Sequence, residues 1–236
     1  MSLADLKTKL FKPKLRYGGE ILHSERDSFG RIQVIDSSIC RSLHFDSAVK
    51  QSRYFFQAPL SLAFEYQQVI EQQLWLRQIQ KPLKHLLMLG TGGGSLASKL
   101  FISHPKLMMT LIDLRPSVIE IAHDFFHLPI HSRIQTHAMD ATLFIQQDTE
   151  YYDVIVIDVF DQKGMPEAFS QRPFLQNLVK KLHSESMVLF NLWQSTPQPT
   201  LDVIQFFEGL STNKQGLLQI HPIKSSNNLI LEFKYN

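Results

Sequence analysis

Residues 86–94 read Leu86-Leu87-Met88-Leu89-Gly90-Thr91-Gly92-Gly93-Gly94. The first four residues are apolar and the rest form a glycine-rich turn, which lets a backbone bend tightly and approach a ligand without a Cβ in the way. A Walker loop is excluded because no Gly-Lys-Ser/Thr follows. The dinucleotide spacing G-x-G-x-x-G would need Gly or Ala at Ser95, where serine could be tolerated. The G-x-G-x-G spacing is more typical of nucleosides of the S-adenosylmethionine type, with a turn that binds no ligand as the alternative.

From residue 84 onwards, apolar strands alternate with amphipathic helices, which predicts a doubly wound, mainly parallel sheet. The predicted strands are His85–Leu89, Leu107–Ile112, Ile134–Ala138, Val154–Ile157, Met187–Leu192 and a closing pair, Leu217–Ile223 and Asn228–Lys234. The predicted helices are Ser95–Ser103, Pro116–Phe126, Asp140–Gln146, Pro173–Leu182 and Val203–Leu210. The run Val154–Ile157 is continuously β-branched, which is typical of a strand covered on both faces.

The residues before position 80 have a different pattern. Arg31–Ile35 alternates polar and apolar residues and Ile39–Phe45 reads as a returning strand, which predicts a hairpin. Apolar residues at near-helical spacing predict a helix over Phe55–Ile79. We therefore divide the chain into an N-terminal β-hairpin domain (1–54), a connecting helix (55–80) and a Rossmann-like nucleoside-binding domain (81–236).

The composition is that of an ordinary globular protein. The 236 residues are 44% hydrophobic and 19% charged, which excludes a disordered or coiled-coil chain. The net charge is +2 and there is no basic block, so we expect no nucleic-acid partner. No apolar run approaches the roughly 20 residues of a membrane span, and the first 22 residues lack a signal peptide's apolar block. We expect a cytoplasmic protein with no membrane partner.

Cysteine and histidine give no sign of a metal site. Cys40 is the single cysteine, which excludes an internal disulfide and fits a reducing compartment. His123, His127 and His131 recur every four residues, but Pro129 should end the helix that such a site would need. We expect no metal.

Two acidic residues follow the strands next to the glycine turn. Asp113 comes 113 − 94 = 19 residues after the last glycine, close to the ~20-residue interval at which an acid meets ribose hydroxyls. Asp140, before Ala141, follows the next strand and could accept a hydrogen bond from an adenine amino group. Asp113 and Asp140 could equally be helix N-caps, and capping is compatible with the adenine role of Asp140.

A pair of carboxylates follows the fourth strand, in the sequence Asp158-Val159-Phe160-Asp161. Both could face one cleft above the nucleoside, where mutual repulsion would raise one pKa. Such a pair suits binding a cationic amine and accepting its proton. The alternative is a solvated loop at the end of a strand.

Taken together, these pieces resemble the spermidine/spermine synthase family of polyamine aminopropyltransferases over roughly residues 20–195. The motifs that carry the resemblance are Phe29-Gly30-Arg31, Gly90–Gly94, Asp113, Phe126–Pro129, Asp140-Ala141 and Asp158–Asp161. The resemblance implies a small N-terminal β-domain joined to a Rossmann-like fold of the class I methyltransferase type, in a homodimer. It also implies aminopropyl transfer from decarboxylated S-adenosylmethionine to putrescine or a related amine.

The resemblance also assigns roles to residues. Asp158 would orient and help to deprotonate the amine, and Asp161 would assist it. The donor would be held by Gly90, Gly92, Gly94, Asp113, Asp140 and Ala141. The nucleoside is a co-substrate, and the family implies no metal cofactor.

Two positions depart from the family pattern. Gly93 stands where the family's glycine turn usually carries an acid that contacts the donor's amine. The family's Tyr-His/Gln-Glu segment is matched by Ser52-Arg53-Tyr54, whose arginine would repel a dicationic amine. The loss of the acid suggests two alternatives: a methyltransferase that uses intact S-adenosylmethionine, and a homologue that binds the nucleoside without catalysis.

Overall fold

The computed structural model describes residues 14–161, 164–195 and 197–236. It divides into two compact units, one ending at Ser61 and the other beginning at Leu62. The division falls after the predicted boundary at residue 54, in the segment that precedes the long helix. Among the described residues, no helix is both long and apolar enough to cross a membrane.

The first unit contains an antiparallel sheet in which five strands follow the order of the chain. The strands are β1 (Leu15–Arg16), β2 (Gly19–Asp27), β3 (Gly30–Asp36), β4 (Cys40–Phe45) and β5 (Lys50–Phe55). The predicted hairpin is β3 and β4, and the rest of the sheet was missed. In β2 exposed and half-buried positions alternate, but most of the side chains are polar or charged. The strand therefore lacks the apolar alternation that marks β3.

The second unit contains a seven-stranded sheet in the order β11-β12-β10-β9-β6-β7-β8. Its strands are β6 (His85–Leu89), β7 (Met108–Asp113), β8 (Ile134–Ala138), β9 (Tyr152–Ile157), β10 (Leu182–Trp193), β11 (Gly216–Pro222) and β12 (Asn228–Tyr235). Its α-helices are α1 (Glu65–Gln80), α2 (Ser95–Ser103), α3 (Pro116–Phe126), α4 (Ala141–Gln147), α5 (Arg172–Val179) and α6 (Pro197–Thr212). The neighbours from β10 to β8 are parallel, and β12 is antiparallel to β10 and β11. The predicted doubly wound sheet with a closing hairpin is confirmed.

Three predicted helix boundaries are wrong. The helix predicted to begin at Val203 begins at Pro197. The helix predicted over Phe55–Ile79 begins only at Glu65, because Phe55 ends β5 and a turn containing Pro59 follows. The helix predicted to run to Leu182 ends at Val179, and Leu182 starts β10 by pairing with Tyr152. Leu182 lies four residues after Leu178, a spacing that fits a helix, and the polar residues after it conceal the strand.

The central strands are covered on both faces, as their sequence predicts. In β9, Val154 and Val156 belong to one buried apolar cluster, and Ile155 and Ile157 belong to the other. Successive side chains of a strand point to opposite faces, so a β-branched run in β9 fills both layers at once. The carboxyl ends of β6, β7 and β9 are thereby held side by side.

Candidate active site

Backbone hydrogen bonds join the glycine turn to the end of β7, and the end of β6 to the residue that follows β9. The Gly90 amide donates to the Ile112 carbonyl at 2.8 Å, and the Asp158 amide donates to the Leu89 carbonyl at 2.8 Å. Gly90 has φ +91°, and a Cβ at this position would lie 2.1 Å from the Asp158 carbonyl oxygen. Only glycine fits there, because any side chain would push the turn away from the strand end that carries Asp158.

The three glycines of the G-x-G-x-G pattern share a backbone conformation. Gly90, Gly92 and Gly94 all have positive φ, whereas Gly93 is outside this group. Gly94 precedes α2 with φ +71°, and a Cβ on it would approach the Leu128 side chain at 2.9 Å. The spacing therefore has a structural cause in the turn itself, and contact with the donor stays a prediction.

Asp113, the last residue of β7, holds the glycine turn in place. Its Oδ2 accepts hydrogen bonds from the Thr91 and Gly92 amides at 3.1 and 3.2 Å, and its Oδ1 accepts one from the Arg115 amide at 3.2 Å. Burial raises the pKa of Asp113 and these amides lower it, with burial the larger effect. A carboxylate offers about four acceptor positions, so Asp113 keeps capacity for ribose hydroxyls.

Asp140 is the N-cap of α4, as the alternative interpretation predicts. Its Oδ1 accepts from the Thr142 amide at 2.7 Å, the Thr142 hydroxyl at 2.6 Å and the Leu143 amide at 3.3 Å. Within the described residues these bonds all fall on Oδ1, so Oδ2 remains available for an adenine amino group. Ala141 follows as the first, buried residue of the helix.

Two side chains from distant parts of the chain bind the Asp158 carboxylate. Asn191, in β10, donates its Nδ2 to Asp158 Oδ1 at 2.8 Å. The Tyr66 hydroxyl, in the first turn of α1, also hydrogen-bonds to Asp158. Burial raises the pKa of Asp158, and these two bonds act against that rise. Asp158 is therefore a desolvated carboxylate with oriented partners, which is the environment of a proton acceptor.

Gln67 extends this group and carries an unpaired acceptor. It hydrogen-bonds to the Tyr66 hydroxyl and is 6% exposed. Its buried Oε1 has no hydrogen-bond partner among the described residues. A buried oxygen without a donor is costly, so this atom is suited to receive one from a ligand.

Sequence reasoning missed Tyr66, Gln67 and Asn191. The expected Tyr-His/Gln-Glu pattern was placed at Ser52-Arg53-Tyr54, in β5. Tyr66-Gln67-Gln68 matches its first two residues and lies beside Asp158, with Gln68 where the family has an acid. The signal was available in the sequence, but it was concealed by predicting one continuous helix from Phe55.

Asp161 lies in the exposed loop after β9. Its backbone pairs with Gly164, with the Asp161 amide donating to the Gly164 carbonyl at 2.9 Å. In the same loop, the Phe160 ring meets Trp193 edge-on at 6.5 Å between centroids, joining the ends of β9 and β10. The role predicted for Asp161 beside Asp158 stays a prediction.

The fold and the site define a class. The sheet is doubly wound, with a glycine turn after β6, acids at the ends of β7 and β8, and a desolvated carboxylate after β9. Proteins with this arrangement are nucleoside-dependent group transferases of the class I methyltransferase type. The spermine/spermidine synthase domain model matches residues 64–209, more than half of the chain. The chain belongs to the spermine/spermidine synthase family.

The relatives of this chain include both aminopropyltransferases and methyltransferases. The polyamine aminopropyltransferase of Neisseria meningitidis serogroup A is 26% identical over 209 residues, covering 88% of this chain and 77% of the relative. The eEF1A lysine and N-terminal methyltransferase of Bos taurus is 34% identical over 126 residues, covering 48% of this chain and 17% of the relative.

Solved structures confirm the fold. A probable spermidine synthase from Corynebacterium glutamicum superposes with TM-score 0.74 at 18% identity, covering 91% of this chain and 80% of that one. Human methyltransferase-like protein 13 in complex with SAH superposes with TM-score 0.61 at 25% identity, covering 73% of this chain and 82% of that one.

Proposed function

We propose that this protein is a polyamine aminopropyltransferase that moves an aminopropyl group from decarboxylated S-adenosylmethionine to an amine. The observation that carries the proposal is the Asp158 carboxylate, held by Tyr66 and Asn191 at the strand end that Gly90 contacts. Family membership and the aminopropyltransferases among the relatives support the same activity.

The reaction needs a base at this position. An alkylammonium ion must lose a proton before its nitrogen can attack, and Asp158 would accept that proton. The nitrogen then bonds to the carbon beside the sulfonium while the carbon–sulfur electron pair returns to sulfur, leaving neutral methylthioadenosine. Holding the two reactants in the correct orientation removes much of the activation barrier, because a bound pair reacts as one molecule.

The acceptor is expected to be a small amine. The raised pKa of Asp158 makes it a better base than an ordinary aspartate, and its negative charge attracts an ammonium group. Gln67 Oε1 would accept a further hydrogen bond from the same amine. Asp161 would assist at the mouth of the site.

Methyl transfer to an amine is the second candidate, and Gly93 favours it. An acid at this position would repel the carboxylate of intact S-adenosylmethionine, and glycine removes that repulsion. The eEF1A lysine and N-terminal methyltransferases among the relatives support this alternative. The two candidates share the amine chemistry of Asp158 and differ in the donor.

The nucleoside product separates the candidates. Purified protein would be incubated with decarboxylated or intact S-adenosylmethionine and with putrescine, cadaverine or spermidine, and the products identified by mass spectrometry. Methylthioadenosine with an aminopropylated amine supports our proposal; S-adenosylhomocysteine with a methylated amine supports the alternative. Nucleoside binding without either product would identify a non-catalytic homologue.

Gly93 itself can be tested by calorimetric titration with both donors. Gly93→Asp should tighten binding of the decarboxylated donor and weaken binding of the intact one, because the new carboxylate attracts an amine and repels a carboxylate. Gly93→Asn is the matched control, of similar size but without charge. Equal changes in both variants would show that volume, and not charge, governs the donor at this position.

The proposal also includes a cytoplasmic homodimer. A single cysteine, Cys40, supports a reducing compartment. The assembly and the domain limits at residues 54 and 80 stay predictions. Light scattering of the purified protein measures the assembly directly.

A further inference from the structure

The turn between β11 and β12, residues 223–227, is connected to the Asp158 carboxylate by side chains. Here we call it the β11–β12 turn. Ile223 anchors it, being 4% exposed and part of the apolar core, and the Ile223 amide donates to the Asn228 carbonyl at 3.0 Å. From this anchored turn, one route of hydrogen bonds leads to Asn191, and a second reaches Glu65, the residue before Tyr66.

The first route is a relay of side-chain amides. Ser226 Oγ donates to Asn228 Oδ1 at 2.7 Å, and Asn228 Nδ2 donates to Asn191 Oδ1 at 2.9 Å. Asn191 Nδ2 then donates to Asp158 Oδ1 at 2.8 Å. Asn191 is 1% exposed, so water does not replace a lost partner easily.

The direction of this relay is fixed by the carboxylate at its end. An ionised carboxylate only accepts hydrogen bonds, so Asn191 must turn its Nδ2 towards Asp158 and its Oδ1 away. That oxygen needs a donor, which is Asn228 Nδ2, and Asn228 Oδ1 in turn receives the Ser226 hydroxyl. Reversing either amide would bring oxygen against oxygen.

The second route passes through the start of α1. The Ser225 and Lys224 amides of the turn donate to the Glu65 carboxylate at 2.8 and 3.3 Å. Glu65 is the first residue of α1 and precedes Tyr66, the other partner of Asp158. The turn is thus linked by hydrogen bonds to Asn191 and to the residue that precedes Tyr66.

We propose that Asn228 is a positioning residue, which acts through Asn191 to hold the Asp158 carboxylate in one orientation for the transfer. The inference rests on the proposed function, because the orientation matters for the reaction only if Asp158 receives the proton of the amine. Asn228 does not touch the carboxylate, so its whole effect must pass through the Asn191 amide.

This role predicts a change in the titration of Asp158. Without Asn228, the Asn191 amide is no longer locked, and its hydrogen bond to the ionised carboxylate weakens. Among the described residues, the groups that face Asp158 are Tyr66 on α1, the neutral Asn191 on β10 and the backbone at Gly90, with Asp161 three residues further along the loop. Replacing an amide by leucine changes none of these charges.

The test is a double-mutant cycle read by NMR of carboxyl-¹³C aspartate in the whole protein. The Asp158 signal is assigned by its loss in Asp158→Asn. We expect Asn191→Leu to raise the titration midpoint of Asp158 by about 1 pH unit and Asn228→Leu to raise it by about half as much. In the Asn191→Leu background, Asn228→Leu should add nothing, because its path is already broken.

Asn227→Ala is the matched control from the same turn. Asn227 donates to Ser195 Oγ at 3.3 Å and lies outside the relay, so its removal should leave the midpoint unchanged. If Asn228→Leu does not fold, the exposed Ser226→Ala, which removes the donor to Asn228, should raise the midpoint by a smaller amount. An unchanged midpoint in the folded relay variant, or a shift equally large without Asn191, would overturn the inference.

Activity is measured separately, with the donor and amine that give product. Asn228→Leu should lower kcat several-fold with KM little changed, and should move the acid limb of the pH profile upwards. The NMR cycle does not depend on turnover. If no donor gives product and the cycle still shows the coupling, the proposed function fails while the relay stands. If wild-type protein turns over and the coupling is absent, the relay fails alone.

Discussion

Asp153 and Asp158 lie at opposite ends of the same strand and are held in different ways. Asp153, near the start of β9, accepts hydrogen bonds on Oδ2 from the Lys84 and His85 amides, both at 2.8 Å. Its Oδ1 lies 3.3 Å from His183 Nε2. Asp158, directly after β9, is held by the side chains of Asn191 and Tyr66.

The contrast indicates which carboxylate serves the fold and which serves the chemistry. The backbone amides that bind Asp153 belong to the entry into β6, so the bond joins two strands of the sheet. The partners of Asp158 are side chains, which can be retuned or replaced without altering a strand. Burial also raises the pKa of Asp158, an environment that a structural carboxylate does not need.

The largest expected effect is on catalysis, from Asp158→Asn. We expect kcat/KM to fall about 10³-fold, because the amine loses its proton acceptor, with adenosyl binding retained. A carboxyl whose pKa is raised by folding adds stability below its unfolded pKa and loses that contribution as pH rises through its folded pKa. Asp158→Asn removes a buried charge that adds no stability at pH 7, so the free energy of unfolding of the variant at this pH should be equal to that of the wild type or higher. Activity assays, calorimetry and urea unfolding measure the three quantities. Loss of binding together with activity would contradict this division of roles.

Gly90→Ala should produce the largest loss of stability. The new Cβ would meet the Asp158 carbonyl at 2.1 Å and force alanine to φ +91°. We expect the free energy of unfolding to fall by at least about 3 kcal/mol, or the protein not to fold. Gly209→Ala is the matched control, since nothing lies within 4 Å of its Cβ position and α6 should gain stability. Similar effects in both variants would show that the turn does not need glycine.

Asp153→Ala should be the converse of Asp158→Asn. Two backbone amides lose their acceptor, so the free energy of unfolding should fall by about 2 kcal/mol. The value of kcat/KM should stay within about twofold of wild type, because Asp153 lies at the opposite end of the strand from Asp158. Denaturant unfolding and the transfer assay measure the two effects. A large loss of activity in folded protein would break the contrast between the two carboxylates.

Tyr66→Phe should have the smallest effect and should depend on pH. The variant keeps the ring that stacks on Phe64 and removes the hydroxyl bound to Asp158. Without this donor the pKa of Asp158 rises further, so the acid limb of kcat/KM should move to higher pH and the loss of activity should be greatest on that limb. Tyr152→Phe is the control, because that hydroxyl binds Asp148 and should not move the limb.

Local patterns were enough to predict the parts of the site that one chain segment builds. Gly90 and Asp113 come at the ends of strands whose apolar runs are visible in the sequence, Asp140 comes shortly after the strand Ile134–Ala138, and parallel strands bring their carboxyl ends to one edge. The helix before the glycine turn was less predictable. Its apolar spacing continues back to Phe55, although Pro59 lies in the way and the chain turns there.

The sequence by itself determined the doubly wound sheet, the glycine turn and the acids at the strand ends, because these depend on periodicity and on residues adjacent in the chain. Only the tertiary structure decided which side chains hold Asp158. Tyr66 and Asn191 come from α1 and β10, and no spacing rule links them to β9. Packing brings them together, and a desolvated carboxylate then requires each donor to face it.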